Sequence, residues 1–248
     1  MFDHISIPTI LISYIALLFS LSVHEASHAT AAYLLDDDTA ARLGRMTINP
    51  LVHIDPIGTV LFPLIGMTTG FPLIGWAKPV PYNPQHFTRK VTMRTGAALV
   101  SAAGPASNIA LFVLFMLVTT LTLRFSVADP SDRLVLFYAG LQGPEAFSRM
   151  AVSPAQMVML SFAGRLILIN ILLAIFNLIP VGPLDGGGIL KGFLPYRATQ
   201  WFERHQRTMY IILVVMVMVP FLSDLFLTPI FRVALWPIQP VARVLLGA

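Results

Sequence analysis

Four long runs of this chain, residues 5–35, 95–123, 154–179 and 209–227, are almost free of charge. A helix crossing the hydrocarbon core of a bilayer needs about 20 consecutive apolar residues, and each run approaches or exceeds that length. Charged residues make up only 11% of the chain, against about 25% in an average soluble domain. A water-exposed globule would have too little charge to cover itself. The 17 Phe and 11 Met suit a lipid-embedded helical bundle, whereas the strands of a β-barrel would alternate polar with apolar residues. The expectation is an all-α polytopic membrane protein, a bundle of about four to five transmembrane helices.

A fifth apolar stretch, residues 56–76, is interrupted by Gly58, Pro63, Gly66, Gly70, Pro72 and Gly75. Such breaks argue against a continuous crossing, so a membrane-associated hairpin, short helices or a re-entrant segment on the face where it began is expected there. The tail, residues 229–248, carries Pro229, Pro237, Pro240, Arg232 and Arg243 and reads as interfacial or amphipathic. The polar-leaning stretches 36–55, 77–94, 128–153 and 191–207 are too short to build a soluble domain. One domain over residues 1–248 is expected, with a core over about 5–195 and C-terminal helices over 208–248. The N-terminus lacks the basic segment and small-residue cleavage site of a removable signal peptide, so the first helix is expected to be retained.

The first apolar run contains His24-Glu25-Ala26-Ser27-His28, an HExxH pattern. On a helix, positions i and i+4 share a face, so both imidazoles can bind one Zn²⁺ while Glu25 reaches a water on the metal. Two histidines and a glutamate in an apolar helix are costly unless they pair, face a cavity or bind something. The chain has no cysteine, so a metal site must use histidine and carboxylate. Catalytic zinc usually has three protein ligands, and only Asp55, Asp185 and Asp224 lie in or against apolar runs as a third. Asp185 follows Asn177-Leu178-Ile179-Pro180-Val181-Gly182-Pro183-Leu184 and precedes three glycines, which leave the backbone free to turn its carboxylate inward. A Pro/Gly-rich segment ending in Asp-Gly is also an ordinary turn.

With these motifs the sequence resembles the site-2 protease family of intramembrane zinc metalloproteases, at His24–His28, at Asn177 through Gly186, and at Ala103-Gly104-Pro105-Ala106-Ser107-Asn108, read here as opening a middle helix. Residues 44–58 and 75–81 resemble the compact bacterial and archaeal branch, without PDZ or CBS domains. The resemblance covers roughly residues 15–195. It implies an endopeptidase of regulated intramembrane proteolysis that cuts in or near the transmembrane segments of a substrate protein. By that analogy one zinc per chain is held by His24, His28 and Asp185, Glu25 is the general base, and Asn177 positions the substrate or its oxyanion. Asn108 and Pro183 are the candidates for lining the substrate cleft, although interhelical hydrogen bonding is an equally available role for Asn108. The hairpin at 56–76 would then offer an edge to which an unwound substrate adds as a strand. The rival class is a non-enzymatic divalent-metal-binding protein or transporter; it needs the ligands but has no use for Glu25 as a base, and no repeated halves with matching broken helices are seen.

For the two metal motifs to meet at one depth, both helices must cross in the same direction with a single span, residues 95–123, between them. Residues 36–94 and 186–207 hold ten Lys and Arg, against Arg124, Arg133 and Arg149 in the opposite loop. The positive-inside rule therefore puts the active-site face in the cytoplasm and the N-terminus outside a plasma membrane. The net charge of +4 is spread along the chain, so nucleic acid is not an expected partner; the bilayer and a membrane protein substrate are. The sequence leaves the oligomeric state open. Asp36-Asp37-Asp38 read as solvated acids at a helix end, His53 and Asp55 as either outer partners of the metal ligands or a turn before Pro56, and Trp76, Trp201 and Trp236 as interface anchors.

Overall fold

The structure, a computed structural model, describes residues 6–69, 77–88 and 90–247. Its regular elements are helical: α1 (Ile7–Leu34), the single turn α2 (Thr39–Arg42), α3 (Phe62–Thr69), α4 (Met93–Ser126), α5 (Pro130–Gln142), α6 (Pro154–Asn177), α7 (Asp185–Phe193), α8 (Tyr196–Met218), α9 (Pro220–Leu235) and α10 (Ile238–Leu246). Among the described residues, four stretches are long and apolar enough to cross a membrane: Ile7–Leu34, Met93–Ser126, Pro154–Asn177 and Pro220–Leu246.

The inward face of α1 is a ridge of residues four apart. Ile12, Ala16, Ser20, His24, His28 and Ala32 are all buried, while Ile7, Leu11 and Ile15 lie exposed on another ridge. Because a helix turns every 3.6 residues, a four-residue repeat runs almost straight along it. The outward side of α4 obeys the same rule, with Ile109, Val113, Leu117, Leu121 and Phe125 exposed and apolar. An unbroken apolar ridge of this length is the surface that hydrocarbon tails cover.

Two compact units are built from these helices. The first comprises residues 1–20, 109–172 and 231–248. Within it α5 and α6 approach so closely at Gly140 and Gly164 that a Cβ on Gly164 would strike the Gly140 backbone and one on Gly140 would strike the Leu160 carbonyl. Arg124 and Arg133 donate to the Leu245 and Leu246 carbonyls at 3.0 and 2.9 Å, which satisfies the end of α10 with cations on the negative pole of its dipole. Asn170 donates to Ser20 Oγ at 2.9 Å and to the Leu166 carbonyl of its own helix at 2.8 Å. The Glu145 carboxylate accepts from the Ser6 and Thr9 hydroxyls. Burial pushes its pKa up, but those hydroxyls outweigh it and the net shift is downward.

The second unit comprises residues 21–108 and 173–230. Leu213 and Val217 of α8 and Leu227 of α9 pack with Phe176, Val181 and Leu184, the segment leading into α7. A second polar anchor stands just beyond α1. Asp37 accepts from the Thr39 hydroxyl and amide, from the Asn83 amide at 2.6 Å, and from His86. Desolvation raises its pKa, yet these donors prevail and hold it below the ordinary 3.8.

Several sequence expectations are corrected. Residues 209–227 are not one span, since α8 ends at Met218 and Val219 adopts an extended conformation, φ −85° and ψ 116°. The cause is Pro220, whose ring excludes helical geometry from the preceding residue and which begins α9 instead. The fourth membrane-length stretch is Pro220–Leu246, which takes in most of the tail read as interfacial or amphipathic, and within it α10 keeps an amphipathic character, with Ile238, Ala242 and Leu246 buried on one face. The Ala103–Asn108 motif lies inside α4 rather than at its start, with Pro105 accommodated in mid-helix. Residues 56–69 are helical, a π-helical turn over Pro56–Leu61 continuing into α3, so the short helices form and it is the expected strand edge that is corrected over these residues. Residues 70–76, including Trp76 and the return arm of the expected hairpin, lie outside the described residues. Asp37 is no solvated acid, because its side chain is fully buried.

The Asn170 contact supplies a test of interior packing. Asn170→Ala removes both donors, and thermal unfolding in detergent is expected to register a loss of about 1 kcal/mol, in the range of interhelical hydrogen bonds in membranes. An unchanged midpoint would show that the contact contributes nothing.

Candidate metal centre

His24 and His28 occupy successive turns of the buried ridge of α1, with their rings 4.7 Å apart and nearly perpendicular. Each ring is fixed from behind by α4. His24 Nδ1 lies 2.6 Å from Asn108 Oδ1, and His28 Nδ1 lies 2.7 Å from the Val100 carbonyl. A carbonyl oxygen only accepts, so His28 carries its proton on Nδ1; the same assignment for His24 lets Asn108 accept through Oδ1. The Nε2 atoms of both neutral rings are then left with bare lone pairs.

Those lone pairs face each other. The two Nε2 atoms are 3.1 Å apart, and the Asp185 carboxylate reaches them from the first residue of α7, with Oδ2 3.1 Å from His24 and Oδ1 3.4 Å from His28. Asp185 Oδ2 is buried and receives no hydrogen bond. The short contacts alone would suit an ion pair with protonated imidazole. The Nδ1 partners and the orphaned Oδ2 favour the other reading, in which electron-rich atoms converge with no hydrogen between them. One donor atom from each of these three residues lies within 4.8 Å of the others. Two imidazoles and a carboxylate around a common point repel one another unless a cation sits among them, and they are the donor types that catalytic zinc uses.

Gly104 is what lets α4 come this close. A Cβ there would fall within 3.0 Å of the Nε2 atoms of both His24 and His28. Glu25, next to His24 on α1, is buried and accepts the Val80 backbone N–H at 3.2 Å. That N–H belongs to residues 77–83, a segment without regular secondary structure that is tied down repeatedly. Lys78 N–H donates to the His53 carbonyl at 2.9 Å, and Asn83 N–H to Asp37.

The remaining sequence candidates fall as follows. Asn108 is fully buried behind His24. Asn177 ends α6 half-buried and donates to the Leu173 carbonyl at 3.0 Å. Pro183 is exposed and follows a cis Gly182–Pro183 bond. His53 bonds through Nε2 to the Thr47 carbonyl, and Asp55 caps the turn after it by accepting from Ile57 and Gly58, so this pair has the turn role. Asp224 lies exposed on α9. Val80 is not among the sequence candidates, because its contribution is a backbone N–H; its signal in the sequence is the segment 75–81 that resembles the compact branch.

Comparison with known proteins points the same way. The model of the family described as Peptidase family M50 matches residues 12–220. Relatives that carry the name "Putative zinc metalloprotease" include YwhC of Bacillus subtilis (strain 168), 33% identical over 92% of this chain and 86% of its own. Rip2 of Mycolicibacterium smegmatis (strain ATCC 700084 / mc(2)155) is 26% identical over 88% of this chain and 70% of its own. Rip2 of Mycobacterium tuberculosis (strain ATCC 25618 / H37Rv) is 24% identical over the same shares. No solved structure matches the chain at a significant level.

The close approach at Gly104 is testable without any ligand. Gly104→Ala forces a methyl group onto both imidazoles, and the expected overpacking loss is about 1–3 kcal/mol in thermal unfolding. Parental stability would mean that the rings have room to move aside.

Proposed function

The chain belongs to peptidase family M50, and we propose that it is an intramembrane zinc endopeptidase hydrolysing peptide bonds in or near the transmembrane segments of other membrane proteins. One observation carries this reading: the convergence of His24 Nε2, His28 Nε2 and the Asp185 carboxylate, with one donor atom from each within 4.8 Å of the others. These three residues hold the zinc. When bound, zinc supplies a Lewis acid and lowers the pKa of its water towards about 7.

The protein's own groups do the rest. Glu25 accepts the proton of the attacking water on its carboxylate and returns it to the departing amide nitrogen. The Val80 N–H holds Glu25 Oε2 from behind, so the carboxylate meets the substrate in one orientation. Asn108 and the Val100 carbonyl keep the two imidazoles in the tautomer that offers Nε2. Asn177 and Pro183, on the segment that leads into Asp185, contact the substrate backbone. With ten basic residues flanking the metal motifs against three in the opposite loop, the active face is cytoplasmic, in a plasma membrane crossed several times.

Two measurements test this. Glu25→Gln keeps shape and hydrogen bonding but removes the base, so cleavage of a model transmembrane substrate should fall at least about 10²-fold while zinc content stays at one per chain. Undiminished cleavage would remove Glu25 from the mechanism, and loss of zinc together with the fold would make it structural. For orientation, the cysteine-free chain permits clean labelling of single cysteines at the exposed positions Leu43, Lys90, Arg197 and Asp132. The first three should react only from the cytoplasmic side and the last only from outside. Opposite answers from positions 43 and 90 would mean that residues 56–76 cross the membrane, against the single span argued between the metal motifs.

A further inference from the structure

The third donor reaches the centre on a short helix, and the structure shows what holds that helix. α7 runs only from Asp185 to Phe193 and has glycine at 186, 187, 188 and 192. Two of these glycines fit against α4. A Cβ on Gly188 would collide with the Ser101 side chain, and one on Gly192 would lie 2.5 Å from the Ala98 Cβ. On α4 the same face continues one turn back from Ala98 to Arg94, and this arginine reaches across. Its Nε and Nη2 both donate to the Lys191 carbonyl, at 2.9 and 2.8 Å.

The Lys191 carbonyl needs such a donor. In a continuing helix it would accept from residue 195, but residue 195 is proline and has no N–H. The preceding bond, Leu194 N–H to the Leu190 carbonyl at 3.2 Å, is the last that the backbone makes there. Arg94 therefore fills a vacancy that the sequence creates, and it places a cation at the negative end of the α7 dipole. Lys191 and Asp185 are six residues apart on one helix, about 9 Å along its axis.

We infer that Arg94 is a positioning residue for the metal centre: by clamping the C-terminal end of α7 to α4, it sets the register in which Asp185 meets His24 and His28. This rests on the zinc reading above, because the position of Asp185 matters only if Asp185 is a ligand. Arg94 touches neither metal nor substrate. It acts through a rigid helix seated on the same segment of α4 that orients both imidazoles.

The test is zinc affinity of the purified full-length protein in detergent, measured by competition with a chromophoric chelator. Arg94→Ala is expected to bind zinc about tenfold more weakly or worse, the usual loss when a group supporting a ligand is removed. Arg94→Lys keeps a cationic donor and should recover part of that loss. In an Asp185→Ala background, itself weakened, adding Arg94→Ala should cost nothing more, since the two changes act through one ligand. Parental affinity in Arg94→Ala overturns the proposal and leaves the donor set standing. A tenfold loss that persists in full without Asp185 also overturns it, because Arg94 would then act on the fold at large. Parental affinity in Asp185→Ala removes the ligand assignment itself, and the proposal with it. Should Arg94→Ala fail to fold, Gly192→Ala pushes α7 off Ala98 at the same end and must weaken zinc binding likewise; parental affinity in both Gly192→Ala and Arg94→Lys overturns the clamp.

Discussion

Two imidazoles and a carboxylate brought to one point in a buried site are a liability that the rest of the second unit is arranged to sustain. Left alone, two neutral imidazoles and a carboxylate would turn away from one another or take up protons. They cannot turn away because each is held from the far side: His24 by Asn108, His28 by the Val100 carbonyl, and Asp185 by a helix packed against α4. One face of α4, from Arg94 through Ala98, Ser101 and Gly104 to Asn108, thus makes contacts behind all three donors. Its residues are mostly small, and that is a requirement of distance. Nε2 atoms that must nearly touch a helix backbone leave no space for a side chain between.

Elsewhere the interior is economical in the same sense. Several polar groups within the candidate spans are matched by a neighbouring helix, as with Asn170 and Ser20, or returned to their own helix, as with Thr120 on the Met116 carbonyl. Some charges serve helix ends. Arg124 and Arg133 close α10, and Glu145 gathers the hydroxyls at the start of α1. The apolar ridges of α1 and α4 are left free to face lipid.

Much of this was legible in the sequence, for a physical reason. HExxH is a local pattern whose geometry follows from helical pitch alone, and residues 7–34 do form one helix. Membrane-length runs are likewise a property of composition, and three of the four expected ones match observed candidates to within about three residues at each end. The errors lie where a single proline outweighs a hydropathy window. Pro220 ends a helix that apolarity alone would continue, whereas Pro105, whose absent N–H leaves only the Ser101 carbonyl to be satisfied, is tolerated inside one. The contributions of Gly104, Val80 and Arg94 were out of reach because they are pairings between distant segments. Two of the three act through backbone groups or the lack of a side chain, which residue types do not advertise.

The glycines of α7 carry a consequence for how the protein comes into being. Glycine costs a helix about 1 kcal/mol relative to alanine, and a nine-residue helix is marginal even with favourable residues. Four glycines in nine positions leave α7 without intrinsic stability, so it exists as a helix only once its seat on α4 is present. A chain inserted into the bilayer segment by segment therefore displays two imidazoles early and gains its carboxylate only on assembly. The site cannot be complete in a half-folded molecule, and if these three residues hold the metal as proposed, its capture begins at the end of folding rather than at membrane insertion.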